Sequence, residues 1–259
     1  MQAASLQPDR RRRRRWLWLA LPFVLIAGAG AAYLLRYRVL PVLVRGEAND
    51  ALVSWFSDYG SREALATSFT EPCPGYPFLV PSAGLVGGLP YNAPYGPYNY
   101  FTPHTGIDIF GAGSVGTDPV YAAYDGWLTR EADWVSAVII RHDDPLYPGE
   151  TIWTYYTHMA NESGSQSYIE ARFPPGAREV PVQQGELLGY QGLYNGGPGL
   201  AQIGLHLHFS IVRSDTDGSY RNESVFANTL DPTPYLGLPL NNTASELFPL
   251  RCLPAPTAE

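Results

Sequence analysis

Between Trp16 and Leu35 the chain runs for twenty residues, WLWLALPFVLIAGAGAAYLL, without a charge. At helical rise such a run covers about 30 Å, the thickness of a bilayer's hydrocarbon core, so it predicts one transmembrane helix. Six consecutive arginines, 10–15, precede it, and Arg36, Arg38 and Arg45 follow at wider spacing. The denser positive block belongs in the cytoplasm, which puts the chain beyond about residue 36 outside. Trp16, Trp18, Tyr33 and Tyr37 fall near the two ends, where interfacial aromatics belong. A cleaved signal peptide is the competing reading, because Ala27, Ala29 and Ala31 offer small residues. The run is longer than the ~7–15-residue apolar core of such peptides, which favours an uncleaved anchor. Both readings export the rest of the chain.

Charge divides the chain at the same place. All 17 basic residues are arginine. Residues 1–45 hold nine of them and one acid, Asp9, which leaves 8 − 23 = −15 for residues 46–259. A domain so acidic repels a phosphate backbone, so nucleic acid is excluded as a partner. Its 26 glycines and 24 prolines favour strands and loops over long helices. Only two cysteines occur, Cys73 and Cys252, one near each end of the exported part. In an oxidising compartment they could bridge the tail to the start of the domain; two unrelated thiols are the alternative.

This organisation predicts a cytoplasmic tail over 1–15, an anchor over 16–35, a helical stalk and linker over 36–79, a strand-rich domain over 80–240 and a tail over 241–259. Ala51, Leu52, Trp55 and Phe56 recur at helical spacing, and Ser61 is a candidate cap for a second short helix through Ala66. That region reads as a stalk or a packing element. Residues 70–103 are rich in Pro, Gly and Tyr, which rules out a regular helix. Tyr91, Tyr95, Tyr98 and Tyr100 there suit a substrate groove or plain aromatic loop packing. From 104 to about 213, short β-branched and aromatic runs alternate with turn residues, which predicts a mainly β fold: an antiparallel sheet, sandwich or open barrel. Residues 214–259 read as loops, with DPTPYLG at 231–237 as a turn that docks the tail.

Four of the five histidines fall in three short motifs: HTGID at 104–108, YYTH at 155–158 and GLHLHF at 204–209. On a strand, side chains alternate between faces, so His206 and His208 share one side while Leu205, Leu207 and Phe209 face a core. His104 and Asp108 share a face of an extended segment, with Gly106 permitting a close approach. A pair of exposed polar residues on an amphipathic strand is the plain alternative for each motif taken alone. Together, two imidazoles and a carboxylate suit zinc with one coordination position left open.

The segments HTGIDIF, TYYTHM and GLHLHFSI resemble the lysostaphin/LytM-like zinc endopeptidases, which cut peptide cross-links in bacterial peptidoglycan. The resemblance covers about residues 80–213. It implies a LytM-type β fold (the duplicated hybrid motif) with zinc held by His104, Asp108 and His208. It implies that His206 and His158 flank the attacking water and the scissile carbonyl, one as general base and the other donating to the oxyanion. It leaves His142 structural. The chain departs from the family pattern at ADWVSA (132–137), in an insertion over 163–179 and in a longer turn over 189–204, all in groove walls and loops. The function implied is a membrane-anchored zinc metallopeptidase acting on peptidoglycan peptides. The alternatives are a non-catalytic relative that scaffolds or activates other wall hydrolases, a carboxypeptidase-type zinc hydrolase, and a wall-binding module built on the Tyr-rich loop.

Overall fold

The computed structural model describes residues 22, 24–31, 47–93, 103–196, 204–241 and 248–257. It divides into two units, 1–45 and 46–259. In the first, residues 24–31 are helical. Most of the expected anchor, 16–35, lies outside the described residues, and among those described no helix is long and apolar enough to cross a membrane.

The second unit is built on an open, antiparallel sheet. Its strands are β1 Leu85–Leu89, β2 Ile107–Phe110, β3 Pro119–Tyr121, β4 Gly126–Thr129, β5 Val138–Asp143, β6 Thr151–Thr157, β7 Val180–Val182, β8 Leu187–Tyr190, β9 His206–Arg213 and β10 Thr229–Leu230. The main sheet runs β1-β2-β9-β6-β5-β4-β7, with β10 pairing to β9 beyond the end of β2; β3 and β8 pair separately. The alternation in β9 explains its central place. Leu207, Phe209 and Ile211 enter the main core with Ile107, Ile109, Val138, Ile140 and Tyr156. His206, His208 and Ser210 are left on the opposite face. Gly106 lets β2 approach β9: a Cβ there would stand 2.2 Å from the Phe209 carbonyl oxygen.

Among the described residues of this unit three short α-helices accompany the sheet: α1 Glu47–Ser57, α2 Arg62–Leu65 and α3 Thr233–Leu236. α1 buries Ala51 and Trp55 against Leu85 of β1 and Phe110 of β2. Ser61 precedes α2 without capping it, because its hydroxyl turns back to the Ser54 and Asp58 carbonyls. Inside the expected docking turn, α3 is a single helical turn that buries Tyr235 and Leu236. Gly237 ends it at φ 68, and its carbonyl receives the Leu253 N–H at 2.8 Å, which docks the tail. A disulfide joins Cys73 to Cys252. β1 lies inside the Pro/Gly/Tyr-rich stretch, where Gly87 and Gly88 hide the strand pattern and the register with β2 slips between Val86 and Leu89.

Candidate metal centre

The register of the central strands brings the motifs together. Asp108 of β2 stands opposite His208 of β9, which on its other side stands opposite Thr157, the last residue of β6. His104 precedes β2, and His158 follows β6. His104 Nε2, Asp108 Oδ1 and His208 Nδ1 form a triangle with sides of 3.0, 3.1 and 3.3 Å, and all three residues are buried. Ligand atoms 2.0–2.1 Å from a tetrahedral zinc stand about 3.3 Å apart, so the triangle is close to the size that such an ion requires. Among the described residues it is the one group of three or more His, Cys, Asp or Glu placed to hold a metal ion.

The other ring nitrogens set the tautomers. His104 Nδ1 donates to the Pro90 carbonyl at 3.0 Å, which leaves Nε2 bare. His208 Nε2 donates to Glu223 Oε1 at 2.9 Å, which leaves Nδ1 bare. When both imidazoles are neutral, two lone pairs and a carboxylate oxygen converge in a buried space, where a proton or a metal cation must stand between them. In the metal-free protein a proton takes that place. Burial opposes ionisation of Asp108, yet the His104 and His206 imidazoles, with hydrogen bonds from His104 and His208, hold it well below the usual carboxylate range. Burial pulls His208 down, yet hydrogen bonds to Asp108 and Glu223 and the charge of both carboxylates push it up to about 10. Without a metal the two acids draw a proton onto His208; a dication competes for the same place.

Two further histidines border this triangle. His206 Nδ1 donates to the Gly204 carbonyl at 2.8 Å, and its Nε2 stands 4.0 Å from Asp108 Oδ2. His158 Nδ1 donates to the Tyr194 carbonyl at 2.6 Å, and the His158 and His206 rings lie 4.3 Å apart. Both therefore offer Nε2 as an acceptor. For His158, burial first, and then the neighbouring His206 and His208, lower the pKa to about 3. The sequence leaves open which of His158 and His206 is the base and which the donor, and both rings present the same nitrogen, Nε2, to the site. His158 also sits at φ 75, a left-handed conformation that costs a side-chain-bearing residue about 1–3 kcal/mol and occurs preferentially at functional sites.

A cleft of about 270 Å³ opens beside His158, walled by Trp134, Tyr155, Thr157 and Tyr194. Two larger hollows, of about 770 and 670 Å³, cluster around residues 143–151 and touch none of the site histidines. The Trp134 wall comes from the ADWVSA departure, and the buried Arg130 pins it by donating to the Trp134 and Val135 carbonyls at 3.0 and 3.3 Å. Of the four candidate groove tyrosines, Tyr91 is buried and stacks on Phe226 at 5.0 Å, so it packs instead of lining a groove. Tyr95, Tyr98 and Tyr100 lie outside the described residues. His142 is separate from the site, with Nδ1 2.7 Å from the Asp125 carbonyl and Nε2 2.7 Å from the Thr154 hydroxyl. The sequence did not single out Glu223, because it sits in a loop with no periodicity fifteen residues from the histidine it holds. Nor did it single out the Pro90, Gly204 and Tyr194 carbonyls, since a backbone acceptor leaves no mark in residue type.

No family model matches the chain, and no curated protein matches it. Among solved structures it is similar to lysostaphin, the antimicrobial peptidase from Staphylococcus simulans, at 20% identity over 62% of this chain and 49% of that one, with a TM-score of 0.33. A solution structure of lysostaphin matches at 21% identity over 66% of this chain and 55% of that one, with a TM-score of 0.34. The catalytic domain of the prophage-encoded M23 protein EnpA from Enterococcus faecalis, a point mutant, matches at 22% over 63% of this chain and 98% of that domain, with a TM-score of 0.32. The chain spans about half the length of the lysostaphin chains it matches. With TM-scores near one third, these likenesses carry no argument about its chemistry.

Proposed function

We propose that this protein is a membrane-anchored zinc metallopeptidase whose domain works outside the cytoplasm on peptidoglycan peptides. The observation that carries the reading is the convergence of His104 Nε2, Asp108 Oδ1 and His208 Nδ1, with two more imidazoles turned towards the same buried space. Those three atoms would hold the ion. Zinc there supplies a Lewis acid that polarises a peptide carbonyl and makes water a competent nucleophile near neutral pH.

The chain's own residues supply the proton handling. His206 Nε2 would accept the proton of the attacking water and pass it to the amine nitrogen as the C–N bond breaks, with Asp108 Oδ2 at 4.0 Å stabilising the imidazolium in between. His158 Nε2 accepts a hydrogen bond from the same water and orients it. The cleft beside His158 receives the peptide, with Trp134 and Tyr155 as its aromatic wall. Export is supported by the uncharged run behind its arginine block and by the Cys73–Cys252 disulfide, a bond of oxidising compartments.

The test uses the full chain in detergent, loaded with zinc and incubated with purified peptidoglycan. New amino termini, located by mass spectrometry of the released fragments, are expected from the wild type and absent with His206→Ala, which should keep its zinc. A zinc-loaded wild type that binds peptidoglycan yet releases no termini would favour the scaffold alternative. Protease added to intact cells should digest the domain; full protection would overturn the proposed topology.

A further inference from the structure

Glu223 lies on the loop after β9, and its carboxylate is almost fully withdrawn from solvent, with 11% of the side chain exposed. A buried carboxylate needs a reason, since ionised it gives up hydration. Its Oε1 accepts two hydrogen bonds: from His208 Nε2 at 2.9 Å and from the Thr105 hydroxyl at 2.6 Å. Thr105 is the neighbour of His104, so one oxygen ties the approach to β2 to His208 of β9.

The loop that carries Glu223 is itself anchored. Phe226, three residues on, stacks on Tyr91 at 5.0 Å, next to Pro90, whose carbonyl fixes the His104 tautomer. Thr229 then pairs with Val212 of β9. The segment 223–229 therefore braces both histidines of the triangle from outside: one through a carboxylate, the other through the stack beside Pro90.

Charge gives Glu223 a second task. His104 and His208 are neutral ligands once their bare nitrogens face an ion. Asp108 brings one negative charge against the two of a dication, which would leave a buried net positive site. Glu223 brings the other. With it, a dication, Asp108 and Glu223 sum to zero in a space where an uncompensated charge is costly.

Resting on the zinc reading above, we propose that Glu223 is the positioning residue of the metal centre: it locks His208 in the Nδ1-ligating tautomer and completes the charge balance for a divalent ion. It touches neither substrate nor metal, so the readout is affinity for zinc alone, measured on the full chain by chelator competition. Glu223→Gln keeps an acceptor near His208 but removes the charge; Glu223→Ala removes both. Zinc affinity is expected to fall about 10–100-fold in the first and at least as far in the second. The near-UV circular dichroism of the metal-free forms should match the wild type. Should both variants fail to fold, Thr105→Val, which removes only the second donor to the same oxygen, is expected to weaken zinc binding several-fold. Wild-type affinity in folded Glu223→Gln and Glu223→Ala, or in Thr105→Val where those two do not fold, overturns the inference. A wild type that binds no zinc instead overturns the metal reading on which it rests.

Discussion

The two faces of the sheet bury histidines in opposite ways. On the core face, His142 of β5 has both nitrogens answered, by the Asp125 carbonyl and by Thr154, whose hydroxyl also bonds that of Tyr156 at 3.1 Å. On the other face, four histidines each commit one nitrogen to a carbonyl or carboxylate and turn the second towards their neighbours. Burial is the same in kind, so burial does not separate a structural histidine from a working one. The difference is whether the protein finishes the hydrogen bonding itself or leaves acceptors aimed at a common point.

The strongest way to break this contrast is to remove a ligand. His208→Ala and Asp108→Ala are expected to lose bound zinc and to drop turnover by more than about 10⁴-fold, read by metal analysis and peptide release. Full zinc in either variant would remove that residue from the ligand set. The next step separates holding from reacting: His206→Ala should retain zinc while kcat falls roughly 10²–10⁴-fold with little change in KM. Loss of zinc there would make His206 a ligand.

The core-face histidine sharpens the contrast from the other side. Burial lowers the His142 pKa from 6.5 to about 4. The folded protein therefore resists a proton that the unfolded chain accepts. That contribution is fully present above about pH 6.5 and is lost as pH falls towards 4, at most about 3 kcal/mol. Urea midpoints of the zinc-loaded protein across that window should show the decline. His142→Gln should flatten that part of the decline, cost about 1–2 kcal/mol at pH 7 and leave zinc content unchanged. A His142 variant that folds but loses zinc would abolish the distinction between the faces.

How much of this was legible in the sequence follows from how each feature is encoded. β9 was readable because a two-residue alternation puts Leu207, Phe209 and Ile211 on one face and His206 and His208 on the other. The convergence of the motifs was readable because histidines are scarce and fall in three short segments, but the choice of His208 over His206 came from the family resemblance and not from spacing. β1 was not, since Gly87 and Gly88 interrupt it, and α3 was too short to show a period. Glu223 was silent because long-range partners of loop carboxylates have no spacing rule. The single-residue turn geometry at His158, φ 75, was equally silent, because nothing in TYYTHM marks a left-handed residue.

The covalent link between Cys73 and Cys252 spans 179 positions and closes a ring around most of the unit over 46–259. A protease that nicks a projecting loop, such as the one bearing the exposed Tyr147, opens that ring without separating its pieces. Separating the pieces then requires a reductant as well as the nick. On a denaturing gel a nicked molecule should migrate as a single band until thiol is added.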